Sequence, residues 1–466
     1  MVRLLPKDRK LRRWVIIILI ITFILVASLL IYSVVASSKH KPDNPPTTRP
    51  PHVYEDPVAF HVYSRGNYTD VNSTIRYENA YVNTGSMDLE TGVFRAPTDG
   101  TYVFNFIAPR YSNTTNEVLC LNVRLDRNGL PIGNGPICGD SYEQWTPASF
   151  NAVLKLKLND TVGMFLEQGA IKASKGSDPP RTHFTGFLLE GESAFHAFRT
   201  VESFASRKNE TIPFHGLNTD IKSNFNLTAS TFTAPVNGTY FFQFSGSSST
   251  STDVILVRND EEPMGYGYTR ISHWGSAGFH TMWPLQNGDK VYARLNTGQL
   301  DEADRDLKIT NLLGFIVADE LSDSMNSSIH FHVIRTSSLY TGRPDGIGQL
   351  INYTRIISNE GEGMNASSGI FKAPESGVYA FHFTSHRGST YIGPNACSTV
   401  IQMRNNETIG TSSNCHSTYS APIFFHSVLS LQTNDEISML LHEGDISPVI
   451  DHKMCARFSG FLIYST

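Results

Sequence analysis

A turn-and-strand unit written three times limits what this chain can fold into. The copies are Phe94-Arg-Ala-Pro97-Thr-Asp-Gly100-Thr-Tyr102-Val-Phe104-Asn-Phe106, Phe232-Thr-Ala-Pro235-Val-Asn-Gly238-Thr-Tyr240-Phe-Phe242-Gln-Phe244 and Phe371-Lys-Ala-Pro374-Glu-Ser-Gly377-Val-Tyr379-Ala-Phe381-His-Phe383. Each proline lacks a backbone donor and fixes φ, so it ends one extended run at a turn. Three residues on, Gly100, Gly238 and Gly377 are expected at a positive φ, where glycine alone is cheap. Tyr-x-Phe-x-Phe then places an aromatic at every second position, which a pleated strand turns onto one face. Three aromatics on one strand face read as core before they read as a binding platform.

The repeated glycines are 138 and 139 residues apart, a spacing that means whole domains in tandem. A chain of 466 residues is too long for one core and fits about three domains. The net charge of −5 is unevenly held. Residues 1–13 carry six Lys and Arg against Asp8, and the remainder holds 32 basic and 42 acidic side chains. An acidic body has no electrostatic footprint for nucleic acid.

The basic tail 1–13 precedes Trp14 to Ala36, an uncharged stretch rich in Ile, Leu and Val. As a helix those residues would run roughly 34 Å, enough to cross a hydrocarbon core of about 30 Å. The charge flanks orient it with the N-terminus cytoplasmic. The competing reading is a signal peptide cleaved near Ala36. Residues 37–57 contain Pro42, Pro45, Pro46, Pro50, Pro51 and Pro57, and form a stiff stalk. Beyond it three domains are expected at 58–190, 193–319 and 328–466.

Each domain opens on a Phe-His strand (Phe60-His61, Phe195-His196, Phe331-His332) and passes through the shared unit. Each then reaches an acidic turn at Asp160, Asp289 or Asp435 and closes on a Gly-Phe strand at Gly186-Phe187, Gly314-Phe315 or Gly460-Phe461. Turn residues separate alternating apolar runs, and no long helical period intervenes, so the fold class is an all-β sandwich or jelly roll. These landmarks together resemble the complement C1q globular-head family, which shares the tumour-necrosis-factor-like jelly roll. The first copy matches best through Val58-Ala59-Phe60 and Gly92-Val93-Phe94-Arg95-Ala96-Pro97. The third follows with Gly369-Ile370-Phe371-Lys372-Ala373-Pro374, whereas the second has Ala229-Ser230-Thr231 in place of the leading glycine. The collagen-like stem of many members is missing, so stem-borne functions do not carry over.

Cys120 and Cys138 are 18 apart, as are Cys397 and Cys415, while the second copy has neither partner. Paired presence and paired loss point to a disulfide inside each of the two domains. Cys455 is left over: it is free, pairs between chains, or competes with Cys415. Eleven Asn-x-Ser/Thr sequons lie after the apolar segment and none before it, at Asn67, Asn72, Asn113, Asn159, Asn209, Asn226, Asn237, Asn326, Asn352, Asn365 and Asn406. With the cysteines they place the body on the luminal or extracellular side, with glycosylation expected at these asparagines.

No nucleophile elbow, phosphate loop, His-Glu-x-x-His or Cys-x-x-Cys is present, so an enzyme is not expected. His330-x-His332 invites a metal reading, but His61, His196 and His332 share one repeat position and read as solvent-side residues of the opening strand. Asp301-Glu302-Ala303-Asp304-Arg305-Asp306 could offer carboxylates to calcium, which some members of the resembled family bind; the plainer reading is a solvated loop. The chain therefore reads as a single-pass type II cell-surface glycoprotein presenting three domains to an extracellular protein or glycan ligand. The alternatives are a secreted lectin-like protein and a tumour-necrosis-factor-like ligand for a signalling receptor. Because the resembled domains trimerise and the joints near 190–193 and 319–328 are short, one chain is expected to fold as its own pseudo-trimer. Three chains trimerising domain by domain, or beads on a string, are the other arrangements.

Overall fold

A computed structural model describes residues 57–110, 119–139, 147–172, 174, 178–200, 204–205, 209–260, 262–269, 275–301, 307–319, 329–341, 348–388, 397–415, 422–447 and 456–466. The expected tail, the Trp14–Ala36 span and the stalk up to Asp56 lie outside these residues, as do Asn113, Asn326, Cys455 and residues 302–306. Among the described residues no helix is long and apolar enough to cross a membrane.

The first repeat is built from β1 (Ala59–Ser64), β2 (Asn79–Asn83), β3 (Val93–Arg95), β4 (Gly100–Pro109), β5 (Leu119–Arg127), β6 (Leu130–Gly139), β7 (Pro147–Leu156), β8 (Thr161–Gln168) and β9 (Thr182–Leu189). The second supplies β10 (Ala194–Phe198), β11 (Gly216–Asp220), β12 (Thr231–Thr233), β13 (Gly238–Ser245), β14 (Thr252–Arg258), β15 (Glu262–Thr269), β16 (Phe279–Leu285), β17 (Lys290–Thr297) and β18 (Asn311–Asp319). The third supplies β19 (His330–Arg335), β20 (Arg355–Glu360), β21 (Ile370–Lys372), β22 (Gly377–His386), β23 (Cys397–Arg404), β24 (Glu407–Cys415), β25 (Pro422–Leu431), β26 (Glu436–Ile446) and β27 (Ala456–Ser465).

Each repeat is a two-sheet jelly roll with the same order. The inner sheets run β2-β1-β9-β4-β7, β11-β10-β18-β13-β16 and β20-β19-β27-β22-β25. The outer sheets run β3-β8-β5-β6, β12-β17-β14-β15 and β21-β26-β23-β24. Neighbouring strands are antiparallel throughout, as in the β4–β9 pair that faces Phe104 with Gly186. The alternating aromatics do fill the space between the two sheets. Phe60, Phe94, Phe104 and Phe184 pack with centroids 5.0–6.2 Å apart, and Phe331, Phe371, Phe381 and Phe458 repeat the arrangement.

The tyrosine of the unit ties the turn to the strand. Tyr102, Tyr240 and Tyr379 donate their hydroxyls to the carbonyls of Thr98, Val236 and Glu375, at 2.9, 2.9 and 2.8 Å. In every copy the acceptor is the residue after the proline, which explains the fixed distance between proline and tyrosine. Tyr379→Phe keeps the ring and orphans that carbonyl, and is expected to cost about 1 kcal/mol in urea unfolding.

The expected positive φ at Gly100, Gly238 and Gly377 is not found, because those glycines answer to close approach instead. A Cβ on Gly100 would lie 2.4 Å from Leu188 Cδ1, and one on Gly238 2.4 Å from the Ala318 carbonyl oxygen. On Gly377 it would lie 2.6 Å from Leu462 Cδ1. The left-handed backbone sits earlier, at Gly92 (φ 71°), Ser230 (φ 51°) and Gly369 (φ 76°). Serine is accommodated in the second copy, where its hydroxyl accepts the Phe214 N–H at 2.9 Å.

The acidic turns are hairpin locks. Asp160 accepts from the Lys157 amide and Asn128 Nδ2, while Asn128 Oδ1 accepts the Thr161 amide. Asp289 with Asn259, and Asp435 with Asn405, repeat all these bonds at 2.7–3.0 Å. The Lys157 amide, with Asn128 and Arg127, holds the Asp160 carboxyl down to about 2.

Candidate functional site

The inner-sheet residues between the core aromatics point away from their own sandwich. Val103, Phe241 and Ala380 occupy one repeat position; Val153, Met282 and Val428 another; Phe187, Phe315 and Phe461 a third. All belong to a single buried apolar cluster drawn from the three repeats. The three phenylalanine rings form a triangle with centroids 5.8, 5.9 and 6.4 Å apart. The jelly rolls thus close into a ring about a shared apolar axis, inner sheets inward, with the outer-sheet edges β6, β15 and β24 meeting the neighbouring repeat at Leu307, Ile334 and Tyr81. Each joint is head-to-tail, and three such joints complete the ring.

His61, His196 and His332 mark these joints and are fully buried, which corrects the expectation that they face solvent. The opening strand lies against the next repeat, so its outward side meets protein. His61 of the first repeat reaches the Val428 backbone of the third. His332 of the third reaches Thr281 Oγ1 of the second at 3.2 Å. His196 of the second lies against Phe150 of the first, and the neighbouring Thr219 hydroxyl donates to the Val153 carbonyl at 2.7 Å.

A polar layer surrounds the apolar axis. Asn105, Gln243 and His382 share one position of the repeat, and Asn151, His280 and His426 another, all buried. His382 and His426 meet Nδ1 to Nδ1 at 2.9 Å, so one hydrogen serves both nitrogens. His280 bonds Thr384 Oγ1 at 2.7 Å and Ser459 Oγ at 3.1 Å, both across a seam. This layer has no sequence signal of its own: polar residues alternating with core aromatics look the same whether water or a neighbour covers them.

Cys120 and Cys138 face each other across β5 and β6 and are bonded, as are Cys397 and Cys415 across β23 and β24. At the same end of the hairpin the second repeat places buried Thr252 opposite Thr269, with Thr252 Oγ1 donating to the Gln299 carbonyl at 2.9 Å. Asp301 accepts from the Ser249 amide, the Ser249 hydroxyl and Gln299 Nε2, so this carboxylate braces a loop. Among the described residues no group of three or more His, Cys, Asp or Glu side chains is disposed to hold a metal, His330 and His332 included. The cleft at the seam of the first and second repeats, lined by Asn134, Pro136, Ser149, Ser247 and Ile309, is too small for an organic ligand. Sequon asparagines 67, 72, 159, 209, 226, 237, 352, 365 and 406 are exposed. In the third repeat the short strands Leu339–Thr341 and Gln349–Leu350 pair with β26 and expose Tyr340 and Leu350.

The C1q domain family matches this chain at residues 59–189, 194–317 and 330–463, and the chain belongs to that family. C1q domains are non-enzymatic recognition modules, generally extracellular ones. Human and mouse complement C1q tumor necrosis factor-related protein 3 are each 30% identical over 99 residues, 20% of this chain and 40% of theirs. The chain therefore spans less than half the length of these curated relatives. Among solved structures, the globular domain of zebrafish complement 1qA is 18% identical at a TM-score of 0.24 and covers 30% of this chain and 99% of its own. Murine APRIL is 11% identical at a TM-score of 0.23, covering 29% of this chain and all of its own.

Proposed function

We propose that the protein is a cell-surface recognition glycoprotein in which one chain supplies all three members of a C1q-type trimer. The single observation that carries this reading is the Phe187, Phe315 and Phe461 triangle, where three repeats of one chain bury a common axis. Covalent tethering raises the effective concentration of each repeat for the others to about millimolar, which favours closure within the chain over pairing between chains. A ring that supplies its own neighbours has no need of a collagen stem. The outer sheets then carry recognition, with the exposed Tyr340 and Leu350 edge as contact residues and N-linked glycans at the exposed sequons.

The basic residues before Trp14 and the uncharged Trp14–Ala36 stretch support anchoring as a type II membrane protein with the ring outside the cell. Light scattering of the detergent-solubilised chain, corrected for glycan and detergent mass, should give one chain and a compact radius. Three chains, or one elongated chain, would sink the proposal. Binding to intact cells is expected to saturate and to weaken at least tenfold in a Tyr340→Asp, Leu350→Asp double variant that keeps the same mass and radius. N-terminal sequencing separates anchor from release: a mature start near Ser37 would make the ring a secreted protein.

A further inference from the structure

Histidine is over-used at one place in this molecule, the seams between repeats. His61 and His183 lie at the seam of the first and third repeats, with Phe425 and Val428 opposite. His196 lies at the seam of the first and second, and His280, His332, His382 and His386 at the seam of the second and third. His426 on β25 joins the last group to the first through His382 on one side and His183 on the other. All of these rings are fully buried.

Most of their hydrogen bonds are those of neutral rings; His61 Nδ1 stands between the Val428 N–H at 3.4 Å and the Val428 carbonyl at 3.2 Å. His183 Nε2 lies 3.0 Å from the Pro180 carbonyl, which can only accept, so that nitrogen carries the hydrogen. His183 Nδ1 is then the acceptor for His61 Nε2–H at 3.0 Å. His196 Nε2–H donates to Asn311 Oδ1 at 3.0 Å, leaving Nδ1 to accept from Asn218 Nδ2 at 3.3 Å. In the His382–His426 contact a second proton would set N–H against N–H. His386 stacks on Tyr268 of the neighbouring repeat, and neither ring nitrogen has a hydrogen-bond partner among the described residues. Apart from that His61 nitrogen, an added proton has nowhere favourable to go in these places.

The charged groups around the cluster deepen the effect. Arg457 on β27 acts on His280, His332 and His386, Arg355 on β20 acts on His332, and Lys308 acts on His196. All are cations. Arg65 and Arg404 act on Tyr81, which packs against His61. At the rim of the same seam Arg181 donates to Ser413 Oγ and feels Asp178 and Glu443.

We propose that the seams are an acid-operated latch: the ring is closed near neutral pH, and the repeats part when the seam histidines take up protons. The proposal rests on the single-chain ring. Burial holds His183 and His196 down to about 4 and His332 and His426 down to about 3, with Lys308 adding to it at His196, Arg457 and Arg355 at His332, and His183 at His426. His61, His280, His382 and His386 are lowered for the same leading reason. The sign follows. A parted seam lets each histidine titrate near its ordinary value of about 6.5, so the parted state binds more protons below that pH. Closure is fully favoured above about pH 6.5 and loses strength as pH falls toward 4. Each histidine that titrates raises the opening constant roughly tenfold per pH unit inside that window.

Hydrogen exchange on the full-length chain in detergent tests this, with rates corrected for the intrinsic pH dependence of exchange. Between pH 6.5 and 5.0, opening at β1, β7, β10, β16, β19 and β25 should rise at least tenfold, reverse on return to pH 7.4, and leave the mass at one chain. The outer strands β5 and β23 should change less than threefold. The His61→Gln, His196→Gln, His332→Gln triple variant should cut the pH slope by a third or more. Should that variant fail to fold, the wild-type series decides alone, because seam protection that is flat from pH 7.4 to 5.0 overturns the latch. Unchanged slope in a folded triple variant overturns it too. An extended or three-chain particle already present at pH 7.4 would instead remove the ring reading, and the latch with it.

Discussion

A chain carrying Phe315→Asp is expected to keep the mass of one chain while its radius grows, because the ring loses its centre. Phe315 is 1% exposed and touches Phe187, Phe461 and Phe241, the last at 5.0 Å between centroids. Truncating such a ring to alanine costs about 3–5 kcal/mol. A carboxylate there must in addition be buried among phenylalanines or taken up as the neutral acid, at a further cost of a few kcal/mol. That cost falls first on the seams around the axis, since the second and third jelly rolls have intersheet cores of their own. Small-angle scattering should therefore show a larger radius of gyration with β-sheet circular dichroism retained. The control is Tyr340→Asp at a residue 51% exposed, which should leave the radius unchanged. A compact Phe315→Asp chain would mean that the axis contributes little.

The second large effect concerns the closing strands. Gly186, Gly314 and Gly460 each lie under two core rings of their own sandwich. A Cβ on Gly460 would sit 2.5 Å from Phe331 Cε1 and 2.8 Å from Phe381 Cδ1; on Gly314 it would sit 2.7 Å from both Phe195 Cε1 and Phe242 Cδ1. The rings cannot retreat, because Phe331 and Phe381 are themselves packed on Phe371 and Phe458. Gly460→Val is expected to destabilise the third repeat by about 3 kcal/mol or more, the upper range for overpacking. Urea unfolding followed by hydrogen exchange on β19 and β22 would show the loss there first, with Gly460→Ala intermediate. A valine variant within 1 kcal/mol of wild type, about the size of one hydrogen bond, would show that the strand can shift away.

What could be read from the sequence was whatever a repeat displays against itself. Three copies of Tyr-x-Phe-x-Phe gave the strand and its core face, and cysteines present or absent in pairs gave the two bonded hairpins. The recurring aspartates marked turns whose asparagine partners, some thirty residues away, carried no local signal. The reason for Gly100, Gly238 and Gly377 was misjudged because a glycine has two uses, and a close neighbour such as Leu188 is invisible in sequence. The seams were hidden by the same ambiguity. Gln243 and His280 alternate with Phe242 and Phe279, and the pleat says only that they face the other way. What stands on that side depends on a neighbour over a hundred residues distant.

A ring closed within one chain also changes the consequences of substitution. In an assembly of identical subunits every change enters three times, and a mixed population of chains poisons the whole. Here a change enters once, at one joint. The joints have already parted company: across them His61 meets the Val428 backbone, His196 the Phe150 ring, and His332 the Thr281 hydroxyl. The ratio of the three repeats within the ring is set at translation. The molecule is thereby released from threefold symmetry in what it shows to the outside: its three faces are free to differ.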